Sequence, residues 1–165
     1  MTVKAGDTVP AGTLGYLGEK GPDSITTDEL FNGKKVVLFA VPGAFTPTCS
    51  ESHLPGFVAN ADKIMAKGVD RIVCMSVNDP FVMGAWGKAQ NAEQLLMAAD
   101  GSATWTKAMG LELDLVERGL GIRSQRYSMI VDNGKITHLN IEDGPAFEVS
   151  SAENILEQPL SLIDI

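Results

Sequence analysis

Two cysteines and two histidines are the obvious nucleophiles and proton carriers of this 165-residue chain. Cys49 lies in the stretch VPGAFTPTCSESH, from Val41 to His53, where an apolar run gives way to a polar one. Two frames start a helix there. Thr46 caps it with Pro47 at the first helical position, or Thr48 caps it with Glu51 three residues on, as a capping box. Both frames set Cys49 in a first helical turn, where unpaired N–H groups and the positive end of the dipole favour an anion. The thiolate is the nucleophilic form of cysteine. The amides of Gly43, Ala44 and Phe45 and the hydroxyl of Thr46 are close in sequence and suited to hold a polar ligand over the sulfur. Pro42, which has no N–H, suits a shield against water. The plain alternative is a cysteine used as a small buried hydrophobe.

Two further side chains are candidates to complete such a site. His53 follows Cys49 by four residues, on the same helical face. It is a base for the thiol or a packed histidine at a helix–sheet junction. Arg126 ends the loop GLGIRSQR and directly precedes YSMIV. A permanently charged guanidinium there is able to hold a thiolate and donate to a bound oxygen. Arg123, in the same loop, competes for this role on sequence grounds.

The elements that must position these residues follow from periodicity. Val36–Val41 (VVLFAV) is a short continuous apolar run, expected as a strand buried on both faces, and Arg71–Val77 (RIVCMSV) is expected as a second buried strand. Residues 50–67 carry apolar side chains at helical spacing, with Pro55-Gly56 predicting a kink or break. Asp79 and Pro80 open a helix through about Lys88. A strand is expected near 95–98, a short helix at 103–109, and a closing helix at 151–156. Asp132-Asn133-Gly134 predicts a hairpin between 127–131 and 135–141. The sum is an α/β fold, a central mixed sheet flanked by helices, in one domain over residues 1–165. Sites in such folds form at the carboxyl ends of strands, where the Cys49 stretch lies.

The net charge of −8 and sequence pI near 4.7 disfavour a nucleic-acid or anionic membrane surface. Two cysteines, without a CxxC or a Cys/His cluster, fit neither a disulfide scaffold nor a zinc site. The N-terminus shows no signal-peptide pattern and no run is long enough to span a bilayer, so a cytoplasmic protein is expected.

PGAFTPTCS resembles the active-site signature of the peroxiredoxins in its type II, or peroxiredoxin-five, form: Pro42, Thr46 and Cys49 match the pattern. The similarity continues through HLPGF, SVNDPFVMGAW, AADGSATW, GLELDL, GLGIRSQRYSMIVDNG and the closing NIEDG…SSAE segment, over essentially the whole chain. The resemblance implies a thioredoxin-like fold and thiol-dependent reduction of hydrogen peroxide and organic hydroperoxides. It implies that Cys49 attacks the peroxide and becomes a sulfenic acid, Thr46 orients the peroxide, Pro42 covers the pocket, and Arg126 stabilises thiolate and transition state. It calls for no metal, haem or flavin.

Some relatives carry a resolving cysteine in the segment matching Phe147–Ser151; here it reads FEVSS. Cys74 matches a cysteine for which a resolving role has been proposed, but it lies in an expected buried strand. A one-cysteine cycle is therefore expected, with glutathione and glutaredoxin, or thioredoxin, as reductant. The competing readings are a thiol–disulfide oxidoreductase, disfavoured by the missing CxxC, and a peroxide sensor that passes oxidation to a partner. A homodimer is expected, with Phe45, Phe81 and Trp86 as exposed aromatics suited to its interface. The tail QPLSLIDI is apolar enough to pack.

Overall fold

A computed structural model describes residues 1–159. The tail 158–165 thus falls almost wholly outside the described residues. Nine strands and five α-helices follow in chain order among them: β1 (Thr13–Gly18), β2 (Gly21–Thr26), α1 (Thr27–Phe31), β3 (Lys35–Val41), α2 (Leu54–Met65), β4 (Arg71–Ser76), α3 (Pro80–Ala89), β5 (Leu96–Ala99), α4 (Thr104–Met109), β6 (Glu112–Leu115), β7 (Gly121–Ser124), β8 (Tyr127–Asp132), β9 (Lys135–Ile141) and α5 (Ala152–Glu157). Seven strands form one mixed sheet, in the order β2-β1-β5-β4-β3-β8-β9, and β6 and β7 form a separate pair.

β3 lies near the middle, parallel to β4 and antiparallel to β8. Its side chains alternate between two cores, as a strand covered on both faces requires. Val36, Leu38 and Ala40 join the core that includes Phe31 and Trp105; Val37, Phe39 and Val41 join the core that includes Phe57, Ile64 and Trp86. Cys74, paired with Phe39, belongs to this second core, as does Cys49. Phe39 stacks on Phe57 at 4.0 Å between centroids, fixing α2 on the sheet. Fully burying one such ring is worth about 1.5–3 kcal/mol.

The expected helices at 80–88, 103–109 and 151–156 are present. Asp79 caps α3 by accepting from Val82 N, and Ser151 caps α5 by accepting from Asn154 N. The Asn133-Gly134 hairpin closes with both residues at positive φ, 50° and 79°, as a type I′ turn needs. The β1–β2 hairpin, α1, β6 and β7 go beyond the sequence expectations. TLGYLG and GPDSIT form an edge ribbon that is mostly exposed, so they carry little period-2 signal.

The expected helix over 50–67 needs correction. Pro47 and Thr48 begin helical, Cys49–His53 forms a π-turn, and α2 runs from Leu54. The irregularity precedes Pro55-Gly56 rather than falling on it. Pro55 has no N–H for the Glu51 carbonyl and its ring crowds the preceding turn, so the backbone widens before it. Leu54 N–H donates to the Cys49 carbonyl five residues back.

Candidate active site

Cys49 is placed where β3 ends and the chain turns into the π-turn. Of the two capping frames, the one with Pro47 as first helical residue is present, and Ser50 N–H donates to the Thr46 carbonyl at 2.9 Å. The Thr48–Glu51 capping box is not formed: Thr48 is itself helical and its side chain makes no cap bond. Thr46 does not cap through its hydroxyl either, because the hydroxyl donates to the Gly43 carbonyl at 2.6 Å. Its oxygen remains able to accept, and its proton reaches a ligand only by leaving Gly43.

The backbone before Cys49 is braced on both sides. Ala44 N–H donates to Asn78 Oδ1 at 3.0 Å, so this amide is committed and is withdrawn from the expected ligand-binding set. Gly43 and Phe45 remain in it. A Cβ on Gly43 would lie 3.2 Å from Thr46 Cγ2 and 3.1 Å from an Arg123 nitrogen, so a side chain there would press on both. Phe45 takes a positive φ of 65° and turns its ring outward, 57% exposed. Phe81 is exposed as expected, but Trp86 is not; it is buried and donates through Nε1 to Ser50 Oγ at 3.0 Å. The apolar core claims its large ring, while Ser50 satisfies its one polar atom.

The two arginines separate cleanly. Arg126 donates to Cys49 Sγ at 3.1 Å and to His53 Nδ1 at 2.8 Å. Arg123 donates to the carbonyls of Leu120 and, at 3.5 Å, Pro42, so it braces the turn instead of the thiol.

His53 is in the site, but not as a base for Cys49. Its Nε2 lies 2.9 Å from the Ser150 carbonyl, which can only accept, so Nε2 carries the proton. Nδ1 is therefore the bare nitrogen and accepts from Arg126. The rings of Phe39, Phe57 and Phe147 surround the imidazole, with centroids 4.9, 5.6 and 5.0 Å away. Burial among them, and next the Arg126 charge, push its pKa down to about 3, against a smaller opposing effect of the Ser150 carbonyl. His53 is a neutral acceptor that holds Arg126.

Cys74 is fully buried on β4 and, like Cys49, is a free thiol. Burial pushes its ionisation well up, and the nearby Cys49 adds to this. A cleft of about 410 Å³ opens beside the site, lined in part by Pro42, Thr48, Leu113, Leu115, Arg126 and Glu142. Pro42 is one of the residues that line it. The sequence offered no reason to single out Ser50, Asn78, Glu142, Phe147 or Ser150. Their signal lies in hydrogen bonds and ring contacts between distant segments. All five lie in segments quoted above, but the quoted motifs gave none of them a role.

The Redoxin family model matches residues 4–156. Peroxiredoxin-2D of Arabidopsis thaliana is 51% identical over 157 residues, covering 94% of this chain and 97% of the relative. Peroxiredoxin-2C of Oryza sativa subsp. japonica is 54% identical, with the same coverage of 94% and 97%. Among solved structures, reduced Prx3 of Vibrio vulnificus in complex with hydrogen peroxide superposes with a TM-score of 0.92 at 59% identity, covering 94% of this chain and 98% of that one. A free cysteine under a histidine-held arginine, on a thioredoxin-like mixed sheet and matched to relatives over nearly its whole length, identifies the chain as a member of the type II peroxiredoxins, thiol-dependent peroxidases.

Proposed function

We propose that this single-domain chain reduces hydrogen peroxide and organic hydroperoxides through Cys49. The observation that carries the reading is the Arg126 guanidinium 3.1 Å from Sγ, locked by His53. The peroxide enters along the cleft past Pro42. The Cys49 thiolate attacks its terminal oxygen; an S–O bond forms as the O–O bond breaks. The leaving oxygen takes up a proton and departs as water or alcohol, and Cys49 is left as a sulfenic acid. Negative charge develops on that leaving oxygen, and Arg126 is preorganised to stabilise it. Thr46 orients the peroxide by exchanging its bond to Gly43, with the Gly43 and Phe45 amides as further donors.

An external thiol then attacks the sulfenic sulfur, releasing water and forming a mixed disulfide. A second thiol completes the reduction. Glutathione with glutaredoxin, or thioredoxin, fills this role. A one-cysteine cycle is supported by the burial of Cys74 on a central strand and by the raised ionisation of its thiol, which makes it a poor nucleophile. Two free thiols fit a reducing compartment, which we take to be the cytoplasm. No helix of the described residues is long and apolar enough to cross a membrane. The exposed rings of Phe45, four residues before Cys49, and Phe81, three residues after the Asn78 that holds the Ala44 amide, support a homodimer formed on that side.

Stopped-flow mixing with hydrogen peroxide tests the reading, with the tryptophan signal as reporter, since Trp86 is bonded to Ser50 beside the thiol. The wild type is expected to show a fast change and steady turnover with added thiol. Peroxide consumption that survives in Cys49→Ser would overturn it. A fast change without turnover by any thiol reductant would favour the sensor reading.

A further inference from the structure

Glu142, just beyond β9, is a buried carboxylate that the reaction above does not use, 6% exposed. Its side chain accepts from the backbone N–H groups of Glu148, Val149 and Ser150 and from the Ser150 hydroxyl. Oε2 alone takes all four donors, at 2.5–3.0 Å. Burial by itself raises the pKa of such a group, but the bonds from Ser150, Glu148 and Val149 outweigh it and leave the pKa lowered, so Glu142 is charged at neutral pH.

These bonds belong to a closed ring. Glu142 N–H donates to the Arg126 carbonyl at 3.0 Å. Its carboxylate holds Ser150. The Ser150 carbonyl accepts the His53 Nε2 proton. His53 Nδ1 accepts from the Arg126 guanidinium, whose other nitrogen reaches Cys49 Sγ. The ring thus leaves Arg126 by its backbone and returns to it by its side chain. Residues 148–150 form a strap gathered by these bonds, and the adjoining Phe147 sets its ring 6.0 Å from the Arg126 guanidinium carbon.

We propose that Glu142 is a positioning residue for the peroxidase site: by gathering the 148–150 strap onto one carboxylate oxygen, it sets the Ser150 carbonyl that orients His53, and so seats Arg126 on the Cys49 sulfur. Nothing else in the ring is charged except Arg126 itself. An ionised carboxylate offers about four lone-pair sites over its two oxygens and no proton to place against the donors, and it shares the Glu148 N–H between Oε1 and Oε2. Without it three N–H groups at the strap lose their partner, and the strap has no reason to stay where His53 needs it.

The proposal rests on Cys49 as the reacting thiol, and its test separates the two. The rate of Cys49 oxidation by hydrogen peroxide is measured in wild type, Glu142→Ala, Glu142→Gln, Arg126→Gln and the Glu142→Ala/Arg126→Gln double variant. Glu142→Ala is expected to lose about tenfold, the low end of the loss seen when an outer partner of a metal-site ligand is removed. Glu142→Gln is expected to recover part of it, because the amide oxygen can occupy the Oε2 position, while its NH2 group cannot accept the Glu148 N–H as Oε1 does. The double variant is expected to be no slower than Arg126→Gln alone, since Glu142 acts through that side chain. A wild-type rate in Glu142→Ala, or losses that multiply in the double variant, overturns the proposal. A purely structural role would lower the melting temperature without this non-additivity.

Should Glu142→Ala not fold, Ser150→Ala removes one of the four bonds and keeps the carbonyl. It is then expected to slow oxidation about threefold, and again not when combined with Arg126→Gln; a full wild-type rate refutes the anchor. If wild-type protein does not react with peroxide, the functional reading fails. Alkylation of Cys49 by iodoacetamide, compared across the same variants, then decides the positioning role, with the same pattern of losses expected.

Discussion

His53 should make the folded protein sensitive to acid in a range where carboxylates are silent. In the unfolded chain it titrates near its ordinary 6.5; in the folded chain it is held down to about 3 by burial among three aromatic rings and by the Arg126 charge. Between these values the unfolded state binds a proton that the folded state does not, so stability falls as pH falls, by about 1.4 kcal/mol per pH unit when the difference is complete. From pH 7 to pH 5 the integrated loss from this residue is about 2 kcal/mol. That is a sizeable part of the roughly 5–15 kcal/mol that holds a typical domain folded.

The assay is urea unfolding at both pH values in wild type and His53→Asn. His138 also has a lowered pKa through burial, but it is present in both proteins and its contribution cancels. The replacement itself destabilises, so the pH-dependent difference is the quantity to read: wild type should lose about 2 kcal/mol more than the variant. Equal losses would refute the neutral, Arg126-holding imidazole. So would a His53 imidazole proton resonance, assigned by its absence from His53→Asn, that titrates between pH 5 and 7 in the native protein.

Arg126→Gln removes the donor at the thiol and should slow peroxide oxidation about 100-fold, as for loss of one preorganised oxyanion donor. Arg123→Gln, which loses only bonds to the Leu120 and Pro42 carbonyls, should stay within about fivefold of wild type, since such bonds are worth about 1 kcal/mol. Equal effects in the two variants would mean that their roles are misassigned. Cys74→Ser should keep turnover with an external thiol reductant while losing about 1–3 kcal/mol, because it sets a hydroxyl in the interior. Loss of thioredoxin-driven turnover, with a Cys49–Cys74 disulfide in oxidised wild type, would instead make Cys74 the resolving thiol.

What the sequence determined by itself was local. VVLFAV is apolar throughout and RIVCMSV is apolar from Ile72 to Met75, and the structure covers both faces of each. Asp79-Pro80 and Ser151 announce helix starts through chemistry contained in three or four residues. Asn133-Gly134 permits the positive φ values of its turn. Pro42, Thr46 and Cys49 form a spaced motif that can be read without any distant partner. The edge hairpin β1–β2 escaped notice because its strands are held by the sheet next to them and show no buried face of their own.

The tertiary structure decided everything that depends on who meets whom across the chain. Periodicity put His53 on the face of Cys49 but left open whether it faces the thiol as a base or packs as a neutral ring. The Ser150 carbonyl, 97 residues away, decided it by fixing the tautomer. Arg126 and Arg123 were equivalent as a loop sequence; Arg123 on β7 and Arg126 just ahead of β8 reach different partners. Trp86 looked exposed and is buried, because α3 packs its inner face on the sheet. The Thr46 proton and the Ala44 amide looked free and are committed to Gly43 and Asn78. A hydrogen bond between distant segments leaves no spacing in the sequence, so only the folded chain shows which of several plausible donors is aimed at the sulfur.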